Sequence, residues 1–417
     1  MITHSSAANT DPQIRVARLR TRFRAWLELA RISNLPTVLS NAIAGATIGA
    51  CALALEKTAG GAGTVIWFGG FVSTASPDGP QDPLSSPSIA FGVLAPLALP
   101  LFAYVGGMIL NDAFDAEIDA RERPTRPIPS GRVSRTSAFI VGFALLSAAI
   151  ALACTTGLPL VIGATALLVA AIVIYDRFHT KSVASTLLLA ACRALASLIP
   201  MLAFAHGDVE ALVRRGAFVL PFALAAWTLG LSLLAREEVA LRMPQDAPRG
   251  ARGSQDATPL PCPKCGQLMV GGYGRCAECA SPSSAPERRG VIARRSNLRA
   301  RLLLLAPAIA VAAMLAAFFA AHAFLRNRGR LLDEGIRAGL PALAIAIGAL
   351  LIVFEIRARA AMRRDPARTP DAIGMLIACL ALIDAMALAT GGHWLAAVVC
   401  LALFALTRRW QRAIAGS

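Results

Sequence analysis

The chain carries three aspartates at helical spacing, Asp112, Asp115 and Asp119. On an α-helix, residues spaced i, i+3 and i+7 share one face, so the three carboxylates are expected to point the same way. Asn111 lies four residues before Asp115 and shares that side. Carboxylates on one face repel each other unless a cation lies between them, and Mg²⁺ is the usual cation where the other ligands are phosphate oxygens. The spacing therefore predicts a Mg²⁺ site for a phosphorylated ligand.

A basic loop that is rich in proline follows the acidic segment. It contains Arg126 and Arg132, whose guanidinium groups are suited to hold diphosphate oxygens through paired hydrogen bonds. The alternative is a solvated helix end with mixed charges. Ionisable residues gathered at the end of a membrane span are costly and tend to be functional. The pattern thus favours the Mg²⁺-diphosphate group of a membrane-soluble substrate.

The composition indicates that the elements holding these side chains are membrane helices. Of 417 residues, 56% are hydrophobic and only 16% are charged, with 41 Lys and Arg against 25 Asp and Glu and a net charge of +16. A soluble domain is about 45–50% apolar and about 25% charged, so a soluble enzyme, a disordered chain and a secreted disulfide scaffold are excluded. The arginines lie between apolar segments, where membrane topology and anionic lipid explain them better than nucleic-acid binding does.

The predicted fold is an all-α, polytopic membrane bundle of about nine to ten transmembrane helices. The apolar segments that predict these helices cover residues 26–55, 89–114, 138–154, 158–175, 183–204, 217–234, 302–322, 338–354, 371–389 and 393–406. Composition divides the chain into five parts: a basic segment (1–25), a first group of spans (26–242), a polar insertion (243–297), a second group of spans (298–409) and a short tail (410–417). Basic loops predict that both termini are cytoplasmic, in a protein integral to a bacterial inner membrane.

Four cysteines of the polar insertion form the pattern C-x₂-C-x₁₀-C-x₂-C within residues 262–279. They are Cys262, Cys265, Cys276 and Cys279. Two such pairs of thiolates can close a tetrahedral Zn²⁺ site, so we predict a structural zinc in a small zinc-ribbon-like module. The alternative is a degenerate ribbon without metal. The other five cysteines lie singly in apolar spans and are interpreted as small core residues.

The acidic motif N-D-x-x-D-x-x-x-D of residues 111–119, followed by R-P-x-x-S-G at 126–131, resembles the first Asp-rich motif of the UbiA-type intramembrane prenyltransferase superfamily. Residues 31–38 resemble the opening helix of that family, and residues 175–181 its Tyr…Lys loop. The resemblance covers about residues 20–240 and the C-terminal spans. It implies a helical bundle around a cavity that opens to the bilayer.

The resemblance also implies the function and the roles of particular residues. An isoprenyl diphosphate would bind through Mg²⁺ on the three aspartates, and its prenyl group would pass to a lipophilic or aromatic acceptor. Arg126 and Lys181 would hold the diphosphate, and the ring of Tyr175 would flank the carbocation-like centre. Arg193 and Glu238 are further candidates for contact with the diphosphate.

The sequence departs from the family where a second Asp-rich motif usually follows the sixth span. That position holds two adjacent glutamates, Glu237 and Glu238, of which one is a candidate to replace the motif. Adjacent helical residues diverge by about 100°, so both cannot readily face one ion. This pattern, together with Ala190–Arg193 and Asp384, is similar to the EboC-like branch of the superfamily. The alternative function is a catalytically degenerate relative that acts as a lipid or metabolite transport or assembly factor.

Two ionisable residues lie inside apolar spans, Arg193 and Asp384. Such residues are costly in hydrocarbon unless they line a polar cavity or are paired. The sequence leaves both readings open, a polar cavity lining and a structural ion pair between helices.

Overall fold

The computed structural model describes residues 12–59, 87–178, 183–242, 260–261, 268–269, 334–364 and 368–414. The chain forms two compact units, one made of residues 1–234 with 302–417 and the other of residues 235–301. The described part of the first unit is helical. The described part of the second unit contains the end of one helix and a pair of short strands.

Nine α-helices and one 3₁₀ helix are described between residues 12 and 242. They are α1 (Pro12–Leu29), a 3₁₀ helix (Ile32–Asn34), α2 (Leu35–Ala59), α3 (Pro87–Phe114), α4 (Ala116–Glu122), α5 (Arg135–Thr155), α6 (Pro159–Phe178), α7 (Val183–Phe204), α8 (Val209–Arg214) and α9 (Val219–Arg242). After the strands β1 (Leu260–Pro261) and β2 (Leu268–Met269) come α10 (Glu334–Arg364), α11 (Thr369–Thr390) and α12 (Trp394–Ala413).

Six of the described helical segments are long and apolar enough to cross a membrane. They are Ile32–Leu53, Gly92–Phe114, Arg135–Thr155, Pro159–Phe178, Ala184–Phe204 and Thr369–Thr390. Each coincides with a segment predicted from the sequence, so the prediction of an integral, multi-pass membrane protein is confirmed.

The remaining predicted spans are not confirmed as membrane crossings. The segment Val219–Ala235 is apolar but shorter, and α10 and α12 occupy two further predicted positions. The segment 302–322 lies outside the described residues. The count of nine to ten transmembrane helices therefore stays a prediction.

The first membrane span begins later than the sequence predicted. We expected one apolar segment from residue 26, but α1 ends at Leu29 and the candidate span begins at Ile32. The interruption is Arg31, whose backbone is left-handed with φ of 43° and ψ of 49°. A non-glycine residue rarely adopts this conformation, which breaks the helical hydrogen-bond pattern. Trp26 consequently belongs to the basic helix α1.

Close helix packing in the first unit depends on small residues. Gly45 and Gly49 of α2 face α7, where an added Cβ atom would overlap the backbone carbonyl oxygens of Ser197 and Met201. Glycines four residues apart allow two membrane helices to approach at backbone distance. The central helix is α11, most of whose residues are buried between its neighbours.

The strands β1 and β2 pair antiparallel, with Leu260 opposite Met269 and Pro261 opposite Leu268. In the sequence they directly flank the first cysteine pair, Cys262 and Cys265. All four predicted zinc ligands lie outside the described residues, so the zinc site stays a prediction.

Candidate active site

The acidic motif lies where α3 passes into α4. Asp115 is the residue at the join, and helical hydrogen bonds continue through it, from Asp115 N to the oxygen of Asn111 (3.0 Å) and from Asp119 N to the oxygen of Asp115 (2.8 Å). The join therefore keeps the helical spacing that the sequence predicted. Asp112 and Asp119 are buried, with only 6% and 5% of their surface exposed.

Arg126 holds two of the three aspartates together. Its Nη1 atom donates to Asp119 Oδ2 at 2.6 Å and lies 3.5 Å from Asp112 Oδ1. The loop folds back to bring it there, because Ser130 N donates to the Arg126 oxygen at 3.0 Å and Val133 N to the Pro127 oxygen at 3.1 Å. A single guanidinium nitrogen thus occupies the position between two carboxylates.

A second arginine reaches the same carboxylate from the start of the first span. Arg31 Nη2 donates to Asp112 Oδ1 at 3.3 Å, and the hydroxyl of Tyr104 donates to the Arg31 carbonyl oxygen at 3.3 Å. Sequence reasoning cited Arg31 only as part of the resemblance of the opening helix and assigned it no role in the site. The signal that could have found it is a single arginine beside an otherwise apolar span.

The third aspartate faces a different set of polar groups. Asn111 Nδ2 donates to Asp115 Oδ2 at 3.3 Å, which agrees with the shared side of the helix that their four-residue spacing predicted. Asp176, only 3% exposed in the last turn of α6, lies close enough to Asp115, Asp112 and Arg31 to interact with them electrostatically. Sequence reasoning missed this fourth carboxylate.

Tyr175 lies near the acidic site because it is the neighbour of Asp176 in the sequence. The two residues are adjacent in the last turn of α6, so the tyrosine lies on the same helix end as a carboxylate of the acidic site. Its side chain is half-buried. The role of Tyr175 beside a carbocation stays a prediction.

Arg132 lies in the same loop but contacts other groups. It forms an ion pair with Glu28 of α1 at 2.8 Å and donates to the Thr125 oxygen at 2.8 Å and to Ser130 Oγ at 3.1 Å. These contacts attach the basic loop to α1. Lys181 lies outside the described residues, and the side chains of Glu237 and Glu238 are not among those described.

Arg193 and Asp384 are joined through an intervening amide. Arg193 Nη1 donates to Asn41 Oδ1 at 3.0 Å, while Asn41 Nδ2 donates to Asp384 Oδ2 at 2.7 Å. Ser40 Oγ donates to the same carboxylate oxygen at 2.6 Å. A carboxylate can only accept in these bonds, so it fixes the orientation of the Asn41 amide and turns its oxygen toward Arg193. The arrangement is a bridged charge pair that links α7, α2 and α11.

The acidic residues fit a magnesium ion in chemistry, although the described side chains do not form a ready cluster for one. Among the described residues, no group of three or more His, Cys, Asp or Glu side chains is arranged to hold a metal. At this site, a guanidinium nitrogen of Arg126 lies between Asp112 and Asp119. Carboxylate oxygens are ligands that Mg²⁺ prefers. If Arg126 moved away, the oxygens of Asp112 and Asp119 would be free to bind the ion.

Comparison with known proteins agrees with the resemblance found in the sequence. Residues 61–242 match the UbiA prenyltransferase family. Similar proteins include the digeranylgeranylglyceryl phosphate synthase of Ignicoccus hospitalis, 30% identical over 221 residues that make up 52% of this chain and 58% of that protein. The synthase of the same name from Natronomonas pharaonis is 34% identical over 167 residues, 40% of this chain and 53% of that protein.

A shorter match concerns the digeranylgeranylglyceryl phosphate synthase of Methanoregula boonei, 40% identical over 80 residues, 19% of this chain and 28% of that protein. The chain thus spans less than two thirds of the length of each of these relatives. A solved structure concerning a digeranylgeranylglyceryl phosphate synthase covers 93% of this chain and 99% of its own, at 13% identity and a TM-score of 0.46. A match at that level does not establish a shared fold.

The family match contains the whole acidic motif, the basic loop, Tyr175 and Arg193. The assignment to the EboC-like branch stays a prediction. Residues 61–242 of this membrane protein are therefore similar to the UbiA prenyltransferase family, over a little less than half of the chain.

Proposed function

We propose that this protein is an integral membrane prenyltransferase that moves an isoprenyl group from a Mg²⁺-bound isoprenyl diphosphate to a lipophilic acceptor. The observation that carries the proposal is the pair of buried carboxylates, Asp112 and Asp119, that share one guanidinium at the end of α3 within the family domain. Buried acids at the end of a membrane span need a cation, which Arg126 and Arg31 supply in the structure. A metal-bound diphosphate would supply the cation in place of Arg126 while its isoprenyl chain remains in the bilayer.

Asp112, Asp115 and Asp119 would hold the magnesium ion, which supplies positive charge that stabilises the leaving diphosphate. Arg126, released from the two carboxylates, would donate paired hydrogen bonds to the diphosphate oxygens. Arg31 keeps Asp112 in place, as its contact at 3.3 Å supports. Breaking of the allylic C–O bond leaves its electron pair on the diphosphate. A hydroxyl oxygen of the acceptor supplies the pair that forms the new C–O bond, and its proton passes to the released diphosphate or to water.

The acceptor we propose is a hydroxyl group of a glyceryl phosphate rather than an aromatic ring. The support is the name shared by the similar archaeal proteins, digeranylgeranylglyceryl phosphate synthase. A phosphate on the acceptor would also suit the arginine-rich surroundings of the acidic motif, where Arg31 and Arg126 lie within 3.5 Å of Asp112.

Binding of geranylgeranyl diphosphate to purified protein in nanodiscs, with and without Mg²⁺, tests the proposal. We expect Mg²⁺-dependent binding that Asp112→Asn and Asp119→Asn each abolish. Asp371→Asn, which neutralises an exposed aspartate in the first turn of α11, is the matched control and should bind as the wild type does. If the wild type shows no Mg²⁺-dependent binding of geranylgeranyl diphosphate, the proposal of a prenyltransferase is refuted.

A degenerate relative that acts in transport or assembly is the second candidate. The adjacent glutamates 237 and 238, in place of a spaced pair of aspartates, are the sequence feature that supports it, whereas the similarity to named synthases does not favour it. Product analysis with glyceryl phosphate and aromatic acceptors separates the two candidates. Binding without transfer to any acceptor would favour the second.

We further propose that the insertion holds one structural Zn²⁺ through its four cysteines. Support comes from the paired cysteine spacing and from the β1–β2 hairpin, whose strands flank the first pair in the sequence. A closed site of four thiolates leaves no position open for catalysis.

A further inference from the structure

The helix α1 presents an apolar stripe that nothing in the described bundle covers. Val16, Leu19 and Phe23 are exposed by 47%, 63% and 65%. Their spacing of three and four residues places them on one face of the helix. Exposed apolar residues at this spacing form a continuous strip rather than scattered single side chains.

The same helix buries a different face against the protein. Ala25 and Leu29 are fully buried and pack with Ile109, Ala113 and Val133. At about 100° per residue, Ala25 points roughly opposite to Val16 and Phe23 on the helix circumference. The stripe therefore faces away from the bundle, so folding of the first unit does not explain it.

Arginines border the apolar stripe on both sides. At about 100° per residue, Arg20 and Arg24 lie to one side of Phe23 and Arg22 to the other. All three are exposed, and the helix contains no acidic residue before Glu28, with which Arg24 forms an ion pair at 3.5 Å. Such long side chains can lie along an apolar surface while their charged ends reach water or phosphate groups.

Contacts at the acidic site fix the level of α1 relative to the membrane spans. One candidate span begins at Ile32 and another ends at Phe114. Close to these two span ends, Arg31 pairs with Asp112 at 3.3 Å, and Glu28 of α1 pairs with Arg132 at 2.8 Å. The end of α1 is therefore held at the ends of two spans, which is the depth of lipid headgroups. The helix itself is not among the candidate spans.

We propose that α1 lies in the headgroup layer of an anionic membrane surface, with Val16, Leu19 and Phe23 in the acyl boundary and the arginines on lipid phosphates. An amphipathic helix with basic residues beside its apolar face binds in this way, through buried apolar area and attraction to anionic lipid. The stripe is narrow and is bordered on both sides by like charges. This arrangement matches a layer of phosphate groups above acyl chains better than it matches another protein.

Hydrogen–deuterium exchange of the full-length protein tests the proposal. The protein is reconstituted in nanodiscs of phosphatidylcholine alone and of an equimolar mixture with phosphatidylglycerol, and exchange is followed in peptides that cover residues 12–25. We expect slower exchange in the anionic nanodiscs. The double substitution Arg20→Gln with Arg22→Gln should abolish most of the difference. Each basic residue near an anionic surface strengthens binding by about fivefold, so the loss of two should lower the preference of α1 for the anionic over the neutral membrane by about 25-fold.

Two further variants make the result specific. Leu19→Ser with Phe23→Ser should remove protection in both lipids. The control is Arg214→Gln with Arg215→Gln, which removes two exposed charges, one from the last residue of α8 and one from the residue after it. It should leave the difference in exchange between the two lipids unchanged. Equal exchange in the two lipids, or protection in detergent that rises with protein concentration and so reports contact between copies, would overturn the proposal.

Discussion

Replacing Arg126 by glutamine should separate two opposing roles of this side chain. In the structure its guanidinium lies between Asp112 and Asp119, so a metal ion must displace it. With diphosphate present, the displaced guanidinium would bind the substrate. The Arg126→Gln variant should therefore bind a divalent ion more tightly when no diphosphate is present, and should bind isoprenyl diphosphate more weakly.

The expected gain follows from the contacts that are lost. The bond from Arg126 to Asp119 is short, at 2.6 Å, whereas the contact with Asp112 at 3.5 Å is at the limit for a hydrogen bond and adds little. A hydrogen bond to a charged group contributes about 1.5–3 kcal/mol. If the metal no longer has to break this bond, its affinity should rise by about 10- to 150-fold.

Titration with Mn²⁺ followed by electron paramagnetic resonance measures this affinity, because carboxylate sites that suit Mg²⁺ also take Mn²⁺. Arg132→Gln is the matched control. It removes the same charge from the same loop, but its partner is Glu28, so it should change Mn²⁺ affinity little. If Arg126→Gln binds Mn²⁺ no more tightly than Arg132→Gln does, the guanidinium does not compete with the metal and the reasoning fails.

Further substitutions test the packing, the buried polar network and the insertion. Gly49→Ala should lower stability by about 1–3 kcal/mol, because its Cβ would overlap the backbone of α7. Gly163→Ala, where a Cβ meets nothing within 4 Å, should not lower the thermal midpoint in detergent, and an equal loss in both would contradict the packing argument. Asp384→Ala removes the acceptor of two short hydrogen bonds and should destabilise by about 1–3 kcal/mol; an unchanged midpoint would show that the buried network contributes nothing. Cys262→Ser should reduce bound zinc to near zero by elemental analysis, whereas Cys154→Ser, at an exposed free cysteine of α5, should not; zinc retained in the first variant would disprove the ribbon.

Local properties of the sequence sufficed to locate six candidate membrane helices and the acidic motif. Hydropathy follows from residue type alone, and six predicted segments are confirmed as candidate spans. The spacing of Asn111 and Asp115 likewise predicted that they share one side of the helix, and the structure shows a hydrogen bond between them at 3.3 Å. The break at Arg31 was not predictable in this way, because a left-handed backbone at a non-glycine residue depends on its surroundings.

By itself, the sequence determined that this protein is a membrane bundle with an acidic motif and a basic loop that resemble those of the UbiA family. Only the tertiary structure decided which charges meet. It placed Arg31 on Asp112 across 81 positions of sequence, and Asn41 on Asp384 across 343. It also brought Asp176 to the acidic site and Arg126 between two carboxylates. Such contacts depend on how helices pack in three dimensions, which the periodicity of any one helix does not encode.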